Sequence, residues 1–403
     1  MPGGTRSYEM AKRLVAAGHE VEMITSWRKQ TDQKGWYKEN IEGISVHWYP
    51  NYYSNNMSFK ERIQSFTRFA YAATTKAASF KNADIIFATS TPLTIAIPAV
   101  SASKLLKIPM VFEVRDLWPE IPIAIGALKT PLAKTLAKQL EKWAYKNSSA
   151  IIALSPGMKE GIIKTGYPAN QVAVIPNSSD NKEFMPNLEK AKKIRNDRSW
   201  LGSSPLLIYT GTFGKINGVG YMVELAQELK KLNSNIKILL VGDGAEKDLV
   251  VSRAKSSGVF EENIFYENRI AKKDIPALLS AATMASALFI DLPEMRPNSA
   301  NKFFDALASG TPVFLNYGGW MHELVNKHSC GVAGWKMSIQ EVAKELNDKM
   351  NNHTWLDQAG KSARTLAETE FDRDKLAGQL RAVLELTINN KSSQAETVAP
   401  GKY

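Results

Sequence analysis

The chain has 403 residues, 44% hydrophobic, 23% charged and 9% aromatic, which suits two globular domains, or three, and excludes a disordered, collagen-like or fibrous chain. Its one cysteine, Cys330, excludes a disulfide framework and a four-cysteine zinc site; no run of about 18 apolar residues and no signal-peptide core at the N-terminus is found, so a soluble, cytoplasmic or membrane-surface protein is expected. Lys plus Arg number 51 against 40 Asp plus Glu, net +11, and residues 1–180 hold 22 basic against 14 acidic side chains, so either an anionic partner of the first half or plain solubility charge is expected.

Apolar runs alternate with helical patterns along the chain. A helix over 7–17 ends at Gly18, and strands follow at 20–25 and 44–49. The amphipathic stretch 59–81 repeats Phe59, Ile63, Phe66, Phe69 and Ala73 at helical spacing and carries five basic residues and one acid, so Lys60, Arg62, Phe66, Arg68 and Phe69 are candidates for an anionic membrane surface or acceptor. A core-facing helix with a solvated basic face is the plain alternative. Strands at 84–89, 108–114, 150–154 and 172–175, with helices to about 106, at 132–146 and at 158–165, read as parallel strands buried on both faces. The polar segment 179–204 reads as a linker. A second series follows: strands at 206–209, 236–241, 264–266, 285–290 and 312–314, with helices at 220–232, 245–257, 275–282, 302–309 and 339–351. The pattern predicts two doubly wound α/β domains facing across a cleft, with a disordered tail at 389–403. The first domain opens directly on the Gly3-Gly4 turn, so the expectation is either that its first strand has been lost or that the domain is built without one.

Three segments carry candidate chemistry. In RPNSANKFFDALASGTP (296–312), Ser299 or Asn301 can cap a helix whose free amides and Lys302 would hold an anion, with Asp305 on the same side. A carboxylate there can accept hydrogen bonds from a ribose diol. The plain alternative is a capped helix with a local Lys–Asp pair. The turn Gly211-Thr-Phe-Gly214-Lys215-Ile-Asn217-Gly218 can bring amides and Lys215 to a phosphate, although it is neither GxGxxG nor a P-loop. Glu113-Val-Arg115-Asp116-Leu-Trp118-Pro119-Glu120 sits at the carboxyl end of a strand, where ligands bind in open α/β sheets; an internal salt bridge is the alternative. Gly242-Asp243-Gly244 is a third glycine turn. Neither the five histidines nor Cys330 has metal-ligand spacing, and no GxSxG elbow exists.

Taken in order, GGTRSYEMAKRLVAAGHEVEMIT, FEVRDLWPE with IGALK, VIPNSSD, LLIYTGTFGK, LLVGDGAEKDL and NSANKFFDALASGTPVF resemble the retaining GT-B glycosyltransferases of family 4, "glycosyl transferases group 1". Within it, VRDLWPE and NKFFDALASGTPV are similar to the bacterial polysaccharide subgroup typified by the L-fucosamine transferase of O-antigen synthesis. The resemblance implies a GT-B fold: an acceptor domain at 1–182, a donor domain at 183–365 and a helix at 366–388 crossing back to the first domain. It implies transfer from a UDP-sugar of N-acetylated hexosamine type to a polyprenyl-diphosphate-linked or saccharide acceptor, at the inner face of the membrane. No DxD motif is present, so no obligatory metal is expected, and no recognised module or basic-aromatic groove motif supports a nucleic-acid partner. The resemblance casts Lys302, Lys215, Arg115 and Asp116 as catalytic. Gly3, Gly4, Gly214, Asn217, Gly242, Arg269, Glu294, Ser299, Asn301 and Asp305 would hold the nucleotide sugar. In the E-x7-E pattern Asp305 takes the second acid's place, and the first falls on Pro297. The other readings kept open are a UDP-GlcNAc 2-epimerase-like enzyme and a non-catalytic nucleotide- or membrane-binding component.

Overall fold

The apolar runs that read as buried strands form parallel strands, in two units. The computed structural model describes residues 6–54, 57–90 and 92–403; Gly3 and Gly4 lie outside them. One unit comprises Met1–Pro176 and Asp374–Lys402, the other Asn177–Arg373 and Tyr403. The chain therefore leaves the first unit six residues before the expected 182/183 boundary and rejoins it at 373/374 rather than 365/366.

In the first unit α1 (Arg6–Ala16) leads to β1 (Glu22–Trp27), β2 (Tyr37–Ile41) and β3 (Ile44–Pro50), a sheet of order β1-β3-β2. β2 was not expected, because YKENI shows no apolar alternation: its three central residues are exposed. It pairs antiparallel with β3 through Glu42-Gly43, whose φ values of 50° and 83° suit the two-residue turns that match strand twist. After α2 (Phe59–Ala77) come β4 (Ile86–Thr89), α3 (Ala96–Leu106), β5 (Met110–Val114), α4 (Glu120–Ala124), α5 (Pro131–Lys146), β6 (Ala150–Ala153), α6 (Pro156–Lys164) and β7 (Val172–Val174). β4 to β7 form a second, all-parallel sheet in chain order. Among the described residues no strand pairing joins the two sheets.

The second unit takes in the whole segment expected to be a linker. There Asn187 caps α7 (Leu188–Asn196), accepting from Lys190 N at 2.9 Å, and Ala191 and Leu201 are buried. Few apolar anchors among many charges hid this helix. The unit continues with β8 (Leu206–Thr212), α8 (Tyr221–Lys231), β9 (Lys237–Asp243), α9 (Lys247–Ser256), β10 (Ile264–Glu267), α10 (Ile275–Ala281), β11 (Met284–Ala287), α11 (Asn301–Ala308), β12 (Val313–Leu315), α12 (Trp320–His328), β13 (Gly331–Ala333), α13 (Ile339–Met350) and α14 (His353–Thr369). Its six parallel strands run β10-β9-β8-β11-β12-β13. The order reverses between β8 and β11, which makes that junction the place where an open α/β sheet holds a ligand.

α15 (Arg373–Ile388) returns to the first unit and buries Leu376, Leu380 and Val383 there. The expected disorder of 389–403 is overturned. α16 (Ala395–Val398) and Ala399 pack onto the same core, Ala399 O accepts from Val174 N at 2.8 Å, and Lys159 Nζ meets Glu396 at 2.7 Å. A polar composition concealed two small apolar anchors. Because β7 is an edge strand, the tail covers backbone that would otherwise lie open to pairing with another chain. Ending the chain at Asn390 is expected to lower the first thermal unfolding midpoint by roughly 4 °C or more and to raise aggregation on heating; an unchanged scanning-calorimetry trace would show that the tail stabilises nothing.

Candidate active site

In the second unit the site is built from the carboxyl ends of β8, β9 and β11. Gly211 and Gly242 are the penultimate residues of β8 and β9, and the two backbones touch: a Cβ on Gly242 would lie 1.8 Å from Gly211 O. Only glycine permits that approach. Ile290 N, beyond β11, donates to Ile216 O at 3.0 Å and ties the loops after β8 and β11 together.

Lys302, in the first turn of α11, reaches into this junction. Its Nζ donates to Tyr209 Oη at 3.0 Å, lies 4.1 Å from the centre of the Tyr209 ring, and would be 2.9 Å from a Cβ on Gly211. Tyr209 is fully buried in β8 and its hydroxyl donates onward to Thr212 O at 2.7 Å. Among the described residues no carboxylate pairs with Lys302, so the Lys302–Asp305 pair left open by the sequence is not formed. Burial of the ammonium pushes its pKa down to about 7. A half-buried cation with no carboxylate partner beside glycine amides is a site that gains from an arriving anion.

The expected cap of α11 is corrected. The N-cap position is Ala300, and no side chain caps the helix. Ser299 is turned the other way: its Oγ accepts from Asn177 N at 3.1 Å and its carbonyl from Asn177 Nδ2 at 2.5 Å. Asn301 is the first helical residue and is exposed. The helix start therefore keeps amides unengaged by side chains, which strengthens the anion reading. Asp305 accepts a 2.7 Å hydrogen bond from Ser179, and burial, opposed by that bond and by Arg373, raises its pKa to about 6.

The remaining donor-side candidates sit on one edge of the sheet. Gly214, exposed Lys215 and half-buried Asn217 follow β8, and Glu294, half-buried, lies between β11 and α11. Arg269 is exposed beyond β10, two strands from β8, or about 10 Å. Sequence reasoning missed Tyr209, which reads as plain strand, and Arg296, whose guanidinium lies 4.8 Å over Trp335 with Nε buried and without a partner. An arginine immediately before Pro-Asn-Ser in a strand-to-helix loop was the available signal.

In the first unit the carboxylate–guanidinium cluster exists with a different guanidinium. Fully buried Glu113, on β5, accepts from Arg6 Nε at 2.7 Å and from Thr89 at 2.8 Å. Arg6 also donates to Ile175 O at 2.8 Å and to Pro176 O. Arg115 instead donates its backbone N–H to Ser90 Oγ at 2.9 Å. Arg115 and Asp116 are half-buried at the carboxyl end of β5. On α2 the apolar stripe is divided: Phe66 is half-buried and stacked on Tyr53 at 5.5 Å, and Phe69 is half-buried, whereas Ile63 is exposed. Arg62 donates to Met57 O and Arg68 lies over the Tyr49 ring, while Lys60 is exposed. Phe66 and Phe69 fit the core-facing alternative.

A parallel sheet of this order, with a half-buried lysine at its switch point, is a doubly wound α/β unit of the kind that holds ligands there. The model of the glycosyl transferase 4-like domain matches residues 3–178 and that of glycosyl transferases group 1 matches residues 190–366; the chain belongs to this glycosyltransferase family. A curated relative, an alpha-D-kanosaminyltransferase of Streptomyces kanamyceticus, is 17% identical over 62% of this chain and 64% of its own. The chain spans about three-fifths of the length of the curated relatives it matches. Sucrose-phosphate synthase of Thermosynechococcus elongatus superposes with a TM-score of 0.77 at 16% identity, over 95% of this chain and 92% of that one. HepE of Anabaena, solved in complex with UDP, gives 0.67 at 18% identity over 85% and 87%. The fold is GT-B, two Rossmann-like domains.

Proposed function

We propose that this protein is a retaining glycosyltransferase that moves a sugar, of N-acetylated hexosamine type, from a UDP-sugar to a lipid-linked or saccharide acceptor in bacterial surface polysaccharide synthesis. The carrying observation is Lys302: a half-buried ammonium with no acidic partner among the described residues, set against the glycine turns of β8 and β9 at the start of a helix without a side-chain cap. Cleaving a sugar–phosphate bond builds charge on the departing diphosphate, and fixed donors aimed at that charge are the largest expected catalytic contribution. Lys302 and the first amides of α11 meet the diphosphate, and exposed Lys215 closes on it. Asp305 holds the ribose, exchanging its bond from Ser179 for one to the sugar diol. Arg115 and Asp116 orient the acceptor hydroxyl or the sugar. The donor phosphate oxygen takes the acceptor proton, and no metal is required. The solved likeness to a UDP complex supports the choice of nucleotide.

Calorimetry and thermal shift test this reading. With EDTA present, UDP at a hundredfold excess over its Kd is expected to stabilise the second unit by about 2.7 kcal/mol, and CDP or ADP by less. Product from UDP-GlcNAc in the absence of any acceptor would identify an epimerase instead. No midpoint shift with any nucleoside diphosphate would end the donor assignment.

A further inference from the structure

Arg296 and Trp335 meet beyond the carboxyl ends of the second unit's strands. Arg296 sits on the loop from β11 to α11, six residues before Lys302, and its guanidinium lies 4.8 Å from the centre of the Trp335 ring. Lys336 Nζ lies 4.4 Å from the same ring, so two cations share one indole. The indole follows β13 and is seated on the turn after β12, where a Cβ on Gly318 would meet it at 2.4 Å. Gly319, with φ 118°, admits the Arg296 carbonyl, which would be 2.2 Å from a Cβ. Trp320 Nε1 donates to Asn298 O at 2.7 Å. The loops after three neighbouring strands thus clamp the arginine, at the same end of the sheet as the Lys302 junction.

The clamped guanidinium has donors to spare. Its Nε is buried without a hydrogen-bond partner. Its ion pair with Asp291, at 3.7 Å, is an open one, the two side chains being 38% and 58% exposed, and a closer carboxylate displaces such a pair at little cost. His322, edge-on to the indole at 5.5 Å, adds no charge near neutral pH, because burial lowers its pKa. Asn298, two residues on from Arg296, also keeps a buried Oδ1 without a donor.

We propose that the transferred sugar is acidic, a hexuronic acid of the N-acetylated type, with its carboxylate received by Arg296 and Lys336. The inference rests on the donor reading and deepens it. In that reading Lys302 meets the diphosphate and Asp305, three residues later, holds the ribose; Arg296, six residues earlier, is left for the other end of the ligand, the sugar. A carboxylate on the Nε–Nη2 edge satisfies the orphaned Nε in the fork geometry that arginine favours. The Asn298 Oδ1 suits a hydroxyl or the acetamido N–H of the same sugar. A neutral sugar leaves the two cations unanswered, and a phosphate answers them but brings no donor for Asn298.

Isothermal titration calorimetry on the whole chain tests it, with UDP-glucuronic acid against UDP-glucose and UDP-galacturonic acid against UDP-galactose. One acid is expected to bind about tenfold or more tighter than its neutral counterpart. Arg296→Gln should erase that preference by weakening the acid alone, with the affinities for UDP and the neutral sugars changed less than about twofold. Arg296→Lys should keep part of the preference, since it keeps the charge and loses the fork. Lys336→Gln, at an exposed position, should lose part of it with no change in thermal midpoint. A native chain that binds UDP and prefers neither acid overturns the proposal, as does a preference that Arg296→Gln and Lys336→Gln both leave intact. Pyrophosphate binding to the UDP-saturated chain, abolished by Arg296→Gln and with no preference for either acid, would make this a phosphate site and overturn it too. No UDP binding by the native chain would strike the donor reading, and this inference with it.

Discussion

Lys302→Met is expected to cut turnover about 10²- to 10³-fold while raising the thermal midpoint of the ligand-free protein. The substitution keeps the stem that passes Tyr209 and deletes the buried charge. The pKa of Lys302 is lowered by burial, from 10.5 to about 7. Between these values the unfolded chain binds more protons than the folded one, so native stability rises with pH across that window. The ammonium's cost is full below about pH 7 and gone above about 10.5. The advantage of Lys302→Met should therefore be largest near pH 6 and vanish towards pH 10.5. A diphosphate reverses the balance by favouring the charged form, so UDP binding at pH 8 should take up protons. The heat of binding would then differ between buffers of high and low ionisation enthalpy. Lys344→Met, on an exposed face of α13, is the comparison and should alter neither turnover nor midpoint. Equal turnover in both variants would remove Lys302 from the leaving-group role.

Why these features could or could not be read beforehand follows from their range. Strands buried on both faces, such as Ala150–Ala153 and Leu206–Thr212, announce themselves as apolar runs. The junction of Gly211, Gly242 and Lys302 was legible as three separate motifs, because glycine turns and helix starts are local. Their meeting was not, since it depends on β8, β9 and β11 being neighbours. The same limit explains Arg6: a residue 107 positions from Glu113 carries no local mark of its partner. β2 and the tail failed for another reason. Their stability rests on pairing and on a few small side chains, and average composition does not register either.

Arg6→Leu is expected to destabilise the first unit by about 3–5 kcal/mol, the largest structural effect of any single side chain considered. Arg6 and Glu113 are 3% and 0% exposed as side chains. Removing the guanidinium leaves a carboxylate inside the sheet with only the Thr89 hydroxyl, and strips Ile175 O and Pro176 O of their donor. Arg6→Lys keeps the charge but cannot aim three N–H groups at a carboxylate and two carbonyls, so it should lie between. Glu113→Gln should cost less than Arg6→Leu, because the amide oxygen still accepts from Arg6. The combination of Arg6→Leu and Glu113→Leu should be milder than the sum of its parts, since no charge is left stranded. Urea midpoints of the first unfolding transition at pH 7 measure all four. A loss below about 1 kcal/mol for Arg6→Leu, with an unchanged urea slope, would mean that water reaches Glu113 and that the pair does not hold α1 to the ends of β5 and β7.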